Sequence, residues 1–139
     1  MLTEKDYCDY ETCVALKELG YDGYCAAYYH LYDDEDDARN SFEYAYGFDF
    51  QNSNNIYRVG APLLYQAQKW LREKKNIYVT VGCPQIMNEG LGWSYEVCDK
   101  PWNGYSDDDC LKASGGAYDS YEEALSKGVR EAIKILKEK

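Results

Sequence analysis

The chain has 139 residues, 45% hydrophobic and 16% aromatic, with a net charge of −10 and a mean hydropathy of −0.68. That length suits one domain, 1–139, with a buried core, and the composition argues against a disordered chain. The imbalance of charge lies wholly in residues 1–50, where 13 Asp and Glu face only Lys5, Lys17 and Arg39, while residues 51–139 carry 12 of each sign; direct binding of a phosphate backbone, which needs clustered cations, is excluded for the first third.

Apolar runs such as Tyr24 to Tyr29 are far shorter than the roughly 20 residues of a membrane span. Residues Met1 to Tyr10 carry Glu4, Lys5, Asp6 and Asp9 and no apolar segment of a secretory signal. No membrane association is expected, and the expected location is the cytoplasm.

The first predicted helix covers Glu11 to Leu19, with Asp9 as N-cap, Gly20 just past the end, and Thr12, Ala15, Leu16 and Leu19 as its apolar stripe. From Tyr24 to Tyr32 neither alternating side is strongly polar, which predicts an inner strand. Asp33 to Asn40 is a charged connection. Phe42, Tyr44, Tyr46, Phe48 and Phe50 then alternate with smaller or polar residues, which predicts a half-buried strand paired back as an antiparallel hairpin.

After the polar stretch Gln51 to Asn55, Pro62 in a first helical turn and Leu63, Ala67, Trp70 and Leu71 predict a second helix through Glu73. Ile77, Val79 and Val81, then Trp93, Tyr95 and Val97, predict two further strands, and Asp99 to Tyr118 reads as a long surface loop. The last helix is the plainest: Ser120 and Glu123 form a capping-box pair, and Tyr121, Ala124, Leu125, Gly128, Val129, Ala132, Ile133 and Leu136 form one stripe. The order α-β-β-α-β-β-α predicts an α+β fold with a mostly antiparallel sheet of about four strands and three helices.

Six cysteines stand at 8, 13, 25, 83, 98 and 110, with His30 the single histidine. There is no Cys-x-x-Cys pair, so no local motif assembles a zinc site, and no metal or other cofactor is expected. Cys13, Cys25 and Cys98 fall inside predicted elements, where reduced thiols act as small buried hydrophobes. Asp33, Asp34, Glu35, Asp36 and Asp37 offer oxygen ligands, yet Ala38 and Tyr44 stand where an EF-hand needs its glycine and its bidentate glutamate. The run reads as a solvated loop, as does Asp107 to Asp109.

Thiol catalysis would need a base beside the nucleophile; His30 is the one histidine, and Cys83, at a predicted strand end just before Pro84, is its most plausible partner. No Gly-x-Ser-x-Gly elbow, P-loop or His-Glu-x-x-His sequence is present. Tyrosine is the residue most out of proportion, with 9 of the 16 in residues 1–50. Tyrosine fills cores with its hydroxyl reaching water, and it is favoured in binding surfaces.

The stretch Ala61-Pro62-Leu63-Leu64-Tyr65-Gln66-Ala67-Gln68-Lys69-Trp70-Leu71-Arg72-Glu73, continuing through Asn76-Ile77-Tyr78-Val79, resembles the central signature of small uncharacterised proteins common in gut Bacteroidales genomes and their phages. Tyr118-Asp119-Ser120-Tyr121-Glu122-Glu123-Ala124-Leu125 resembles their final helix, and Leu16-Lys17-Glu18-Leu19-Gly20-Tyr21 fits as well. The resemblance implies an α+β fold and a phage or prophage origin, and it supplies no activity and no catalytic residues. The Asp33 to Asp37 run and the Asp99 to Tyr118 segment depart from it.

The expectation is therefore a non-enzymatic interaction protein. Tyr28, Tyr32, Asp33, Asp34, Glu35, Asp36, Asp37, Tyr44 and Tyr46 form its acidic, tyrosine-rich binding surface for a basic protein partner, in one version by imitating the DNA backbone. The alternatives are a small enzyme using Cys83 with His30 or a carboxylate-held divalent metal, and a virion or assembly component.

Overall fold

The computed structural model describes residues 2–30, 41–44, 50–51, 58–82, 92–100, 110–114 and 118–138. The fold is mixed α+β, and the chain divides into two compact units, Met1–Ala67 and Gln68–Lys139.

The first unit begins with a 3₁₀ turn, Glu4–Asp6, held by the Asp6 carboxylate accepting from the Thr3 backbone N–H at 2.7 Å. Helix α1, Tyr10–Glu18, lies one residue before the predicted span and has the predicted N-cap: Asp9 Oδ1 accepts from the Thr12 N–H at 2.9 Å. Gly20 ends it at φ +96°, a conformation that costs a residue with a Cβ about 1–2 kcal/mol. Thr12, Cys13 and Leu16 are its buried residues.

Strand β1, Tyr24–Cys25, pairs with β4, Phe50–Gln51; β2, Ala27–His30, lies between β3, Ser41–Tyr44, and β5, Arg58–Gly60, all antiparallel. The central place of β2 agrees with its apolar character on both sides. The predicted continuous strand from Tyr24 is broken at Ala26, and only the two ends of the predicted strand Phe42 to Phe50 lie among the described residues. β5 is unforeseen, because Arg58-Val59-Gly60 shows too little alternation to announce a strand. Pairing with β2 supplies its hydrogen bonds, and Ala61 N–H to Ala27 O at 2.9 Å extends the ladder.

Cys8, Cys13 and Cys25 are fully buried free thiols in this unit's core, beside Leu16, Ala27 and Val59. The Cys13 thiol donates to the Cys8 carbonyl at 3.4 Å. Burial pushes the Cys8 and Cys13 thiols well above the ordinary range, so both stay protonated and act as hydrophobes.

Helix α2, Leu64–Lys75, starts in the first unit and runs into the second. Pro62 precedes it and does not occupy its first turn; the Leu63 N–H at the entry donates to Gln66 Oε1 at 2.9 Å. Asn76, at φ 55°, turns the chain out of the helix.

Strands β6, Tyr78–Gly82, β7, Ser94–Cys98, and β8, Cys110–Ala113, form an antiparallel meander. The long loop predicted from Asp99 to Tyr118 thus contains a strand, and Tyr118 bridges back to Trp93. Cys-Leu-Lys-Ala carries no alternation signal, and it becomes a strand through pairing with β7. Among the described residues the strands form two three-stranded antiparallel sheets and a two-stranded pair, rather than a single sheet, within the expected α+β fold.

Helix α3, Tyr121–Lys137, packs on β6 and β7 through Ala124, Leu125, Gly128, Val129, Ala132 and Ile133. Burying each of Leu125, Val129 and Ile133 contributes about 1.5–3 kcal/mol. Ser120 Oγ accepts from the Glu123 N–H at 3.1 Å, while the Glu123 carboxylate reaches the Asp119 N–H, so the capping box closes one residue early. Among the described residues no helix is long and apolar enough to cross a membrane.

Candidate functional site

Side chains alternate along β2, and its register with β3 and β5 sorts the first unit's aromatic residues onto two faces. Tyr29 stands opposite Phe42 and Val59, and Ala27 opposite Tyr44, on the buried face. There the rings form a continuous cluster. Tyr10 meets Tyr29 at 5.8 Å between centroids, Tyr29 meets Phe42 at 5.5 Å, and Phe42 meets Tyr7 at 5.2 Å and Tyr44 at 5.1 Å. All are tilted or edge-on, the geometry that sets ring edges against ring faces.

Tyr7 is 6% exposed at the centre of the cluster, Tyr44 is 36% exposed at its rim, and Tyr65, on the first turn of α2, is 59% exposed. Burial raises the Tyr7 phenol above its usual range, helped by the nearby Tyr44 phenol, the Asp6 carboxylate and the Tyr65 phenol. Burial raises Tyr29 further, with Cys13, Glu4 and Asp9 adding to it. The carboxylates of Asp6 and Glu4 and the phenols of Tyr44 and Tyr65 thus act electrostatically on the buried phenols of Tyr7 and Tyr29.

The other face carries Tyr28, His30, Ser41, Glu43 and Arg58. The Arg58 guanidinium lies 4.8 Å from the Tyr28 ring centroid, a cation–π contact that brings positive charge to the face. Two residues expected in one binding surface, Tyr28 and Tyr44, therefore stand on opposite sides of the sheet. The structure sets the Tyr44 ring 6.0 Å from Tyr7, whose phenol also feels Asp6 and Tyr65, and the sequence singles out none of these three as a partner of Tyr44. Tyr65 carries no local signal of a surface role, and a non-local bridge between Tyr7 and Leu63 brings the start of α2 beside the amino-terminal segment. His30 is half-buried in β2. Cys83, Tyr32, Asp33 to Asp37 and Tyr46 lie outside the described residues.

In the second unit, Glu96, Cys98 and Cys110 converge, with one ligand atom from each lying within 4.8 Å of the others. Burial first, then the Cys110 thiol and its hydrogen bond, push the Cys98 thiol up to about 11. Glu96 also lines a cavity of 340 Å³ with Thr80, Val81, Gly82 and Ser94. A second cavity, of 380 Å³, is lined by Tyr95, Tyr118, Lys127, Arg130, Glu131 and Lys134.

No family model, no curated protein and no solved structure matches this chain.

Proposed function

We propose that the chain is a non-enzymatic interaction protein whose first unit offers the acidic, tyrosine-rich patch around Tyr7 to a basic protein partner. The observation that carries the reading is the electrostatic influence of Tyr44, Asp6 and Tyr65 on Tyr7, and of Glu4 on Tyr29, at an aromatic cluster edged by the exposed Tyr44. Tyr44, already held by ring contacts to Tyr7 and Phe42, loses little entropy on binding, and exposed tyrosine hydroxyls satisfy polar groups of a partner. Excess carboxylate in the same third of the chain supplies long-range attraction for a cationic surface. Exposed Glu11, Glu18, Asp22 and Glu43 extend the negative character of the unit's surface. A phage or prophage origin belongs to the same reading and makes the partner a host or viral protein in the cytoplasm.

The test is affinity capture from extract of the producing cells, with the natural chain and a Tyr44→Ser/Tyr65→Ser variant as baits. A protein of basic pI retained by the natural chain, lost by the variant, and released at about 1 M salt, where the Debye length falls to about 3 Å, is the expected result. Retention of the same proteins by both baits, or indifference to salt, overturns the reading.

A further inference from the structure

We propose that Glu96, Cys98 and Cys110 form a binding site for a single thiophilic divalent cation of the zinc class. Two features of the backbone build it. Glu96 and Cys98 are two residues apart on β7, so their side chains leave the same face of the sheet. The register between β7 and β8 then shifts: Val97 stands opposite Lys112, but Cys98 stands opposite Cys110, with Leu111 passed over. Without that bulge the next partner of Cys98 would be Leu111, and the two thiols would not face one another. Bulges re-aim side chains in this way and are frequent beside functional sites.

The chemistry of the donors selects the ion. Two sulfurs and one carboxylate oxygen suit a borderline-soft d¹⁰ cation, whereas Mg²⁺ and Ca²⁺ take oxygen ligands. Zn–S bonds of about 2.3 Å at tetrahedral angles put ligand atoms about 3.7 Å apart, so closing from within 4.8 Å needs a side-chain shift of about 1 Å or less. Cys98 is 2% exposed and Cys110 half-buried, which shields the sulfurs while leaving an approach from the Cys110 side. Binding replaces the thiol protons, which leave to solvent, and three protein ligands leave a fourth position for water or another donor. Glu96 lines the 340 Å³ cavity, so one ligand of the ion is also a wall of that space.

The site is tested with Co²⁺ as the optical probe and Zn²⁺ as competitor, on the full reduced chain. Co²⁺ should bind one ion per chain, with a near-ultraviolet thiolate charge-transfer band and intense visible bands of tetrahedral geometry, both displaced by Zn²⁺. Cys110→Ser, at the more exposed position, should halve the charge-transfer intensity and weaken Zn²⁺ binding on the order of 100-fold, with far-ultraviolet circular dichroism unchanged. Glu96→Gln should keep the two-thiolate band and still weaken Zn²⁺ binding. An unchanged cobalt spectrum in Cys110→Ser, or the absence of saturable binding at micromolar Co²⁺ and Zn²⁺, overturns the site.

Discussion

Replacing Gly128 by alanine tests how closely α3 approaches the second sheet. At an open helical position the change gains about 1 kcal/mol, because glycine is the poorer helix former by about that amount. Here an added Cβ would stand 2.6 Å from Val79 Cγ1, 3.0 Å from Tyr95 Cβ and 3.2 Å from Tyr95 Cγ. Relaxed carbon contacts lie at about 3.5–4.0 Å, so the overlap with Val79 is about 1 Å. Val79 is β-branched and stiff at χ1, and Tyr95 Cβ is one bond from the backbone, so neither swings aside freely. Overpacking of this kind costs about 1–3 kcal/mol; the upper half of that range, less the propensity gain, leaves a net loss of about 1–2 kcal/mol. All three tryptophans, Trp70, Trp93 and Trp102, belong to the second unit, so urea unfolding followed by intrinsic fluorescence reports on it selectively. The midpoint should fall with the slope unchanged. In a Val79→Ala background, where Cγ1 is gone, the same step should cost about 1 kcal/mol less. A Gly128→Ala protein stabilised by about 1 kcal/mol, to the same degree in both backgrounds, would refute the close approach.

Two further outcomes follow from the first unit. Asp9→Ala removes the acceptor of the Thr12 N–H and should cost about 1 kcal/mol, read as faster hydrogen exchange through Tyr10–Glu18; unchanged exchange would show the cap to be idle. The thiols of Cys8 and Cys13 hold their protons to higher pH when folded than when unfolded. Their contribution is complete below the unfolded thiol value of about 8.5, and above it the unit should lose up to about 1.4 kcal/mol per pH unit for each thiol. Denaturation midpoints at pH 7 to 10 measure this, and a flat profile for the first unit would contradict the burial of both groups.

The helices were legible because their information is local. Asp9 before Thr12, Gly20 at a positive φ, and Ser120 before Glu123 are start and stop chemistry within a few residues, and each acts where the spacing puts it. Strands whose side chains alternate, such as Tyr78–Gly82 and Ser94–Cys98, were legible for the same reason. Arg58–Gly60 and Cys110–Ala113 were not, because each is made a strand by a neighbour distant in the chain and carries no periodicity of its own.

The sites depend still more on pairing. Counting along β2 groups Tyr28 with His30 correctly, yet nothing local says that Arg58 will arrive beside Tyr28 or that Tyr44 will be turned to the other face. In the second unit the spacing from Cys98 to Cys110 matches no ligand motif, and it gains chemical meaning only through a one-residue irregularity in the ladder. A uniform register would oppose Leu111 to Cys98 and leave a buried thiol beside a carboxylate. The bulge opposes Cys110 instead and makes a three-donor cluster, so the difference between an inert core thiol and a candidate ligand lies in strand register, which residue types do not encode.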